Sequence, residues 1–169
     1  METGRIRYVV NEMASRGVNM LDNVVRLDAK PKVTILPVLS EDFDQYVSMG
    51  MDLIAPAVLR QSHNVTMQDV EDDIRGGGSV MWLIHLEDKL VAAMTTVVVK
   101  HPQRKNLKIE FLGGKRMRQW MGEALSLMKK LALDAGLDAI EADGRKGFEK
   151  YVDTSPFQAM YTHYEMELR

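Results

Sequence analysis

Lys108-Ile109-Glu110-Phe111-Leu112-Gly113-Gly114-Lys115-Arg116-Met117-Arg118-Gln119-Trp120-Met121-Gly122-Glu123-Ala124-Leu125 opens as an apolar strand, stops at a Gly pair and restarts as an amphipathic helix. Trp120, Met121, Leu125, Met128, Leu131 and Ala132 recur at helical spacing, which predicts a helix from about Met117 to Ala135 with Gly136 as its C′ residue. On the strand, Ile109 and Phe111 are expected on one face, Lys108 and Glu110 on the other. Strand, Gly-rich turn and helix together aim backbone N–H groups and a positive helix end at an anion. Lys115, Arg116 and Arg118 add three cations to that turn. A βα turn with a Gly pair is also ordinary structure, so the neighbouring segments must decide between the two readings.

Upstream, Leu107 to Leu112 is preceded by a polar loop, His101–Asn106, and by two Val-, Thr-, Leu- and Ile-rich strands, Val80–Leu86 and Leu90–Lys100. Glu87-Asp88-Lys89 joins those two as a hairpin. Their apolar residues are nearly continuous, as in strands covered on both faces. Gly76-Gly77-Gly78 follows a helix opened by an N-cap at Thr66 and precedes a strand. That order is the reverse of a phosphate loop and predicts a turn. Earlier still, Lys32–Leu39 reads as a first strand, short or at an edge because Pro37 cannot donate to a ladder. A helix from Ser40, its expected N-cap, to about Arg60 follows, with Pro56 expected to kink or break it. Downstream, Leu137–Ala142 reads as a strand, Gly147–Val152 as a short helix and Phe157–Leu168 as a closing strand or hairpin.

Residues 1–31 stand apart from this domain, 32–169. Ile6, Val9, Val10, Met13, Met20, Leu21, Val24 and Val25 form a helical stripe interrupted at Gly17, and Asp28-Ala29-Lys30-Pro31 reads as a linker. Such an arm either packs back on its own domain or offers its stripe to a protein partner, another copy of the chain included.

The 169 residues suffice for one domain with a sizeable core. With 22 cationic and 24 anionic side chains the net charge is −2, which makes a general nucleic-acid partner unexpected. There is no Cys, hence no disulfide, thiolate metal site or cysteine nucleophile. No apolar run reaches membrane-spanning length, so no membrane association is expected, and a cytoplasmic protein is. Thirteen Met suit an adaptable core or a promiscuous contact surface.

The element order describes an α/β (α+β) fold, a mixed, mostly antiparallel sheet with flanking helices and a crossover helix before the fifth strand. From Val33 to Leu168 this order resembles the GNAT superfamily of acyl-CoA-dependent N-acyltransferases. In that family the fourth strand splays from the fifth and pairs its free backbone with the acyl-pantetheine arm. A turn spelled Gln/Arg-x-x-Gly-x-Gly/Ala then wraps the pyrophosphate. Gln119-Trp120-Met121-Gly122-Glu123-Ala124 has that spelling, later in the chain than the strand end suggests. The register that strand length prefers, Arg116–Met121, holds no Gly, and Gly113-Gly114 could supply the turn instead. The resemblance implies acetyl-CoA held by Phe111, Leu112, Gly113, Gly114, Lys115, Arg116, Met117, Arg118, Gln119, Gly122 and Ala124. Gly144-Arg145-Lys146-Gly147-Phe148-Glu149-Lys150-Tyr151 keeps the Tyr spacing of the family's Asn-x-x-Ala-x-x-x-Tyr without its Asn, and Pro156-Phe157 stands for its Gly-Phe. This implies Tyr151 as a general acid near the thioester sulfur, or as an aromatic packing the last helix on the sheet. The Gly-Gly turn followed by Trp, with Gly-Arg-x-Gly-Phe after the fifth strand, is also similar to a divergent GNAT-like group of bacteriophages, several encoded among virion-assembly or DNA-ejection genes. That implies a host-cytoplasmic or virion-associated protein with virion partners.

Glu110, on the strand expected to flank a thioester, is the candidate general base, since burial raises a carboxyl towards ambient pH. Its alternative is an ion pair with Lys108, Lys100 or Arg145. His85 on the second strand could replace it or simply pack. His63, His101 and His163 lack partners at ligand spacing, so no metal is expected. Lys115, Arg116 and Arg118 with Lys129 and Lys130 suit coenzyme A phosphates, a polyanion or a solvated helix face. Two functions fit these residues: a contact protein of GNAT shape, acting in a virion or its assembly, and an active acetyl-CoA-dependent N-acetyltransferase.

Overall fold

A computed structural model of the chain describes residues 31–39, 42–61, 63–144, 157–160 and 166. In chain order its elements are β1 (Val33–Pro37), α1 (Phe43–Val58), a 3-10 turn (Leu59–Gln61), α2 (Met67–Gly76), β2 (Ser79–Leu86), β3 (Lys89–Lys100), β4 (Lys105–Gly114), α3 (Met117–Asp134) and β5 (Ala139–Ala142). The five strands lie side by side in sequence order. β1 to β4 are antiparallel neighbours, and β5 runs parallel to β4 because α3 carries the chain back across the sheet. This is the mixed, mostly antiparallel sheet with flanking helices that the sequence predicts.

The sheet is the middle of three layers. Val80, Trp82, Ile84 and Leu86 of β2 join Leu107, Ile109 and the α3 residues Trp120, Ala124, Met128 and Leu131 in one core cluster. Met81 and Leu83, on the opposite face, join Phe43, Val47, Met51 and Ile54 of α1 and Val70 and Ile74 of α2 in another. Double coverage explains why β2 reads as nearly unbroken apolar sequence. Met51, Met81, Met94 and Met128 are among the buried residues, whereas Met49, Met160 and Met166 are exposed.

Several local signals hold as expected. Glu87 and Asp88 both have positive φ, 48° and 63°, as a two-residue type I′ hairpin requires. β1 is short, five residues, and has no strand beyond it among the described residues, as Pro37 leads one to expect. Thr66 accepts from the Asp69 N–H at 3.1 Å while the Asp69 carboxylate accepts from the Thr66 N–H at 2.8 Å, a complete capping box. Gly77, at φ 82°, ends that helix and makes the Gly run a turn.

Other expectations are corrected. α1 starts at Phe43 with Asp42 in the N-cap position, so Ser40 does not cap it; Ser40 itself lies outside the described residues. Of the two expectations for Pro56, a kink or a break, the break does not occur: the helix continues to Val58 before tightening into the 3-10 turn. β4 is longer than Leu107–Leu112, and its side chains do not simply alternate. Met94 pairs with Leu112 and Thr96 with Ile109, so Thr95 faces both Glu110 and Phe111. This β-bulge turns Phe111 into the α1/α2 cluster while Ile109 stays in the α3 cluster. The Thr95 hydroxyl accepts from the Phe111 N–H at 3.1 Å, satisfying a donor that the bulge removes from the ladder. Phe157–Met160 are not in a strand, and the rest of the expected closing strand or hairpin lies, Met166 apart, outside the described residues. The N-terminal arm over 1–30, the helix at 147–152 and Tyr151 lie outside the described residues.

Candidate active site

β4 and β5 pair only from Asn106 opposite Ala139 to Ile109 opposite Ala142. Beyond that point β4 continues to Gly114 against β3 alone, so the edge of residues 110–114 that faces away from β3 has no strand neighbour among the described residues. The opening is a cleft of about 650 Å³. Leu53, Pro56 and Ala57 of α1 wall one side, and Met117, Trp120, Met121 and Leu125 of α3 the other. Glu110, Arg60, Arg116 and Asp143 give it its charges.

The Gly pair positions the end of β4 against its neighbours. A Cβ on Gly113 would overlap the Leu53 carbonyl oxygen of α1, and one on Gly114, at φ 135°, would overlap Ala92 and the Val91 carbonyl of β3. Close packing, rather than a ligand, therefore requires both glycines. The turn that follows is tied at two points. Lys115 donates its N–H to the Val91 carbonyl at 2.8 Å, and its carbonyl accepts from the Trp120 indole N–H at 2.8 Å. Arg116 takes the N-cap position in left-handed conformation, φ 59°, which is strained for a residue with a side chain. α3 starts at Met117, so the Met117 and Arg118 N–H groups have no carbonyl within the helix to reach.

The cleft brings together Glu110, Leu112, Gly113, Gly114, Arg116 and Met117 of the expected residues. It does not gather the others. Phe111 is buried in the α1/α2 cluster. Lys115, Arg118 and Gln119 are exposed around the turn without lining the cleft. Gly122 lies on the exposed side of α3, and Ala124 is buried between helix and sheet. The Gln119–Ala124 spelling thus falls inside the helix and not at its start, one turn too late to present backbone N–H groups. His85 sits beside the β2–β3 hairpin, outside the cleft, with Nδ1 buried and unpaired. Leu53, Pro56, Ala57, Arg60, Gln61 and Asp143 were not expected in the site. Only the break in helical pattern near Pro56 hinted that this end of α1 stops at something.

Burial pushes the Glu110 carboxyl above its ordinary value; Lys108 opposes this, and Asp73 and Asp143 reinforce it. Burial acts against the Lys108 charge, but the Asp143 hydrogen bond outweighs it and the ammonium titrates above its ordinary value. Lys108 Nζ lies 2.7 Å from Asp143 Oδ2. Further from the cleft, Glu141 Oε2 meets His101 Nε2 at 2.9 Å and accepts from Asn106 Nδ2. Burial works to raise Glu141, yet the Asn106 and His101 hydrogen bonds outweigh it and hold the carboxyl below the ordinary range. Among the described residues no group of His, Cys, Asp or Glu could hold a metal ion. No helix among them is long and apolar enough to cross a membrane.

No family model and no curated protein matches the sequence. Solved structures match the three-layer arrangement. An aminoglycoside acetyltransferase from an uncultured soil metagenomic sample, in complex with sisomicin, superposes with TM-score 0.55 at 15% identity. The match covers 80% of this chain and 97% of that one. The fold is GNAT-like. A ribosomal-protein-alanine N-acetyltransferase from Brucella melitensis biovar Abortus 2308 gives TM-score 0.58 at 8% identity, over 82% of this chain and 100% of its own. A predicted acetyltransferase with acetyl-CoA from Clostridium acetobutylicum gives 0.53 at 14% identity, over 81% and 97%. In the GNAT-like frame, the divergence of β4 from β5 is the feature the sequence resemblance anticipates.

Along β4 and α1 the lining of the cleft is of the kind a thioester cofactor would need. The free β4 edge offers backbone groups to an amide-bearing arm, and Leu53, Pro56, Ala57 and Leu112 offer apolar contact. At the phosphate end, a left-handed Arg116 and the Met117 side chain occupy the turn where glycines would let backbone approach closely. There the Arg116 charge and the first N–H groups of α3 are the groups that would face an anion.

Proposed function

We propose that this chain is an N-acyltransferase that transfers an acetyl group from acetyl-CoA to an amine in the cleft between β4 and β5. The observation that carries this reading is the company Glu110 keeps. A half-buried carboxyl with raised proton affinity shares one cleft with the unpaired edge of β4 and the start of α3. Perturbed carboxyls in clefts are candidate acid–base groups.

Acetyl-CoA, when bound, supplies an acyl carbon activated as a thioester. An attacking amine must shed a proton as its bond to carbon forms, and a Glu110 carboxylate oxygen takes it. Residues 110–114 orient the acyl arm by backbone hydrogen bonds, and the apolar wall of α1 excludes water. Tyr151, implied by the family resemblance, is the proposed acid that returns a proton to the departing sulfur. A contact role would run through residues 1–30, which lie outside those described.

Thermal unfolding with added acetyl-CoA tests this reading. Saturation at a hundredfold excess over Kd stabilises the fold by about 2.7 kcal/mol, a rise of several degrees. A melting temperature unmoved at millimolar acetyl-CoA, with no free thiol released from a panel of amines, overturns it.

A further inference from the structure

Glu110 has an obvious partner that acts on it through space without pairing directly. Lys108 is two residues earlier on β4, near enough for its charge to act on Glu110. Yet no ion pair or hydrogen bond holds Glu110 among the described residues. The Lys108 ammonium lies instead against Asp143, at 2.7 Å. Asp143 is the first residue after β5, at the point where the two strands part, and lines the cleft with Glu110. The other charged groups around Glu110 do not replace this arrangement. Asp73 faces it from α2, and Arg60 and Arg116 flank the cleft from the 3-10 turn and the start of α3. Glu141, opposite Lys108 in the β4–β5 register, has Oε2 engaged by His101 and Asn106.

We propose that Asp143 is a positioning residue: by holding the Lys108 ammonium it keeps the Glu110 carboxylate unpaired and available to take a proton. A carboxylate paired with an ammonium is a weaker base than one half-buried and alone. Asp143 lies on the loop that leaves β5, so this contact makes the strength of the base depend on how that loop sits. The inference rests on the acyltransferase reading for what the proton belongs to, but the arrangement of the three side chains is testable without it.

The test follows the Glu110 carboxyl by ¹³C NMR across pH in the full chain without cofactor, for the wild type, Asp143→Asn, Lys108→Met and the double variant. In Asp143→Asn the released ammonium pairs with Glu110, and its proton affinity falls about tenfold. In Lys108→Met it stays at or above the wild-type value, and the double variant stays close to Lys108→Met, lower only by the weak direct effect of the Asp143 charge, because Asp143 acts mainly through Lys108. An unmoved Glu110 in Asp143→Asn overturns the proposal. So does an equal fall in Asp143→Asn and the double variant, which would show Asp143 acting by its own charge. Asp143 is more than half exposed, so the Asn variant is expected to fold, and Asp143→Ser repeats the test with a smaller side chain. The acidic limb of kcat/KM against pH should move in the same order as the NMR titrations. If the NMR order appears but no amine accepts an acetyl group, the positioning arrangement stands and the acyltransferase reading falls.

Discussion

Glu110 carries both a catalytic expectation and a thermodynamic one. Replacing it by Gln keeps the shape and removes the base, so acetyl transfer should drop about a hundredfold or more. Its folded-state proton affinity is raised above the ordinary value of 4.5. The native state therefore holds this proton more tightly than the unfolded chain does. That contribution to stability is complete below 4.5 and is lost as pH rises through the folded value. Glu110→Gln should thus be more stable than the wild type at neutral pH, with the difference closing in acid. Urea unfolding at neutral and acid pH checks it, and a Gln variant less stable at neutral pH would contradict the sign. Gly113 makes a different residue-scale claim. Gly113→Ala must push a methyl into the backbone carbonyl of Leu53, which cannot swing aside as a side chain can. We expect a loss of about 2 kcal/mol or more, measured by denaturant unfolding and independent of any ligand. Sequence alone singled out this glycine but gave it to a phosphate. Its true neighbour is distant in the chain, and no local pattern reports that contact.

At the scale of the element, legibility follows the range of the forces involved. The Thr66 cap and the Glu87-Asp88 turn were readable because their hydrogen bonds and dihedrals are settled within a few residues. The β4 bulge was not, because it exists only in pairing with Thr95 on another strand. The same bulge separates Ile109 from Phe111, so strict alternation gave the wrong face for one of them. The start of α3 was found to the residue, yet its cap was not, since Arg116 is a poor choice by composition. That choice should be visible energetically. Arg116→Gly relieves a left-handed conformation at a cost-free position for glycine, and should raise stability by up to about 1 kcal/mol. It should also weaken acetyl-CoA binding, because a cation leaves the cleft. Melting curves with and without acetyl-CoA separate the two effects. A variant both less stable and equally well stabilised by acetyl-CoA would refute both halves.

Across the whole molecule, the two core clusters lock the sheet between α3 and the α1/α2 layer. Among the described residues that sandwich opens at the fork between β4 and β5, walled by α1 on one side and α3 on the other. A ligand in the fork therefore touches both outer layers and the sheet at once. Hydrogen exchange should record this as a local pattern. Acetyl-CoA should slow exchange at residues 110–114, at Met117 and Arg118, whose N–H groups have no carbonyl within the helix, and at the Leu53–Ala57 wall of α1. The β2–β3 hairpin around Glu87 and Asp88 and the edge strand β1 lie outside the fork and should exchange at unchanged rates. Protection spread evenly over the sheet would indicate general stiffening without an occupied cleft. Protection confined to β1 and the hairpin would place the ligand elsewhere and remove the fork from consideration as the site.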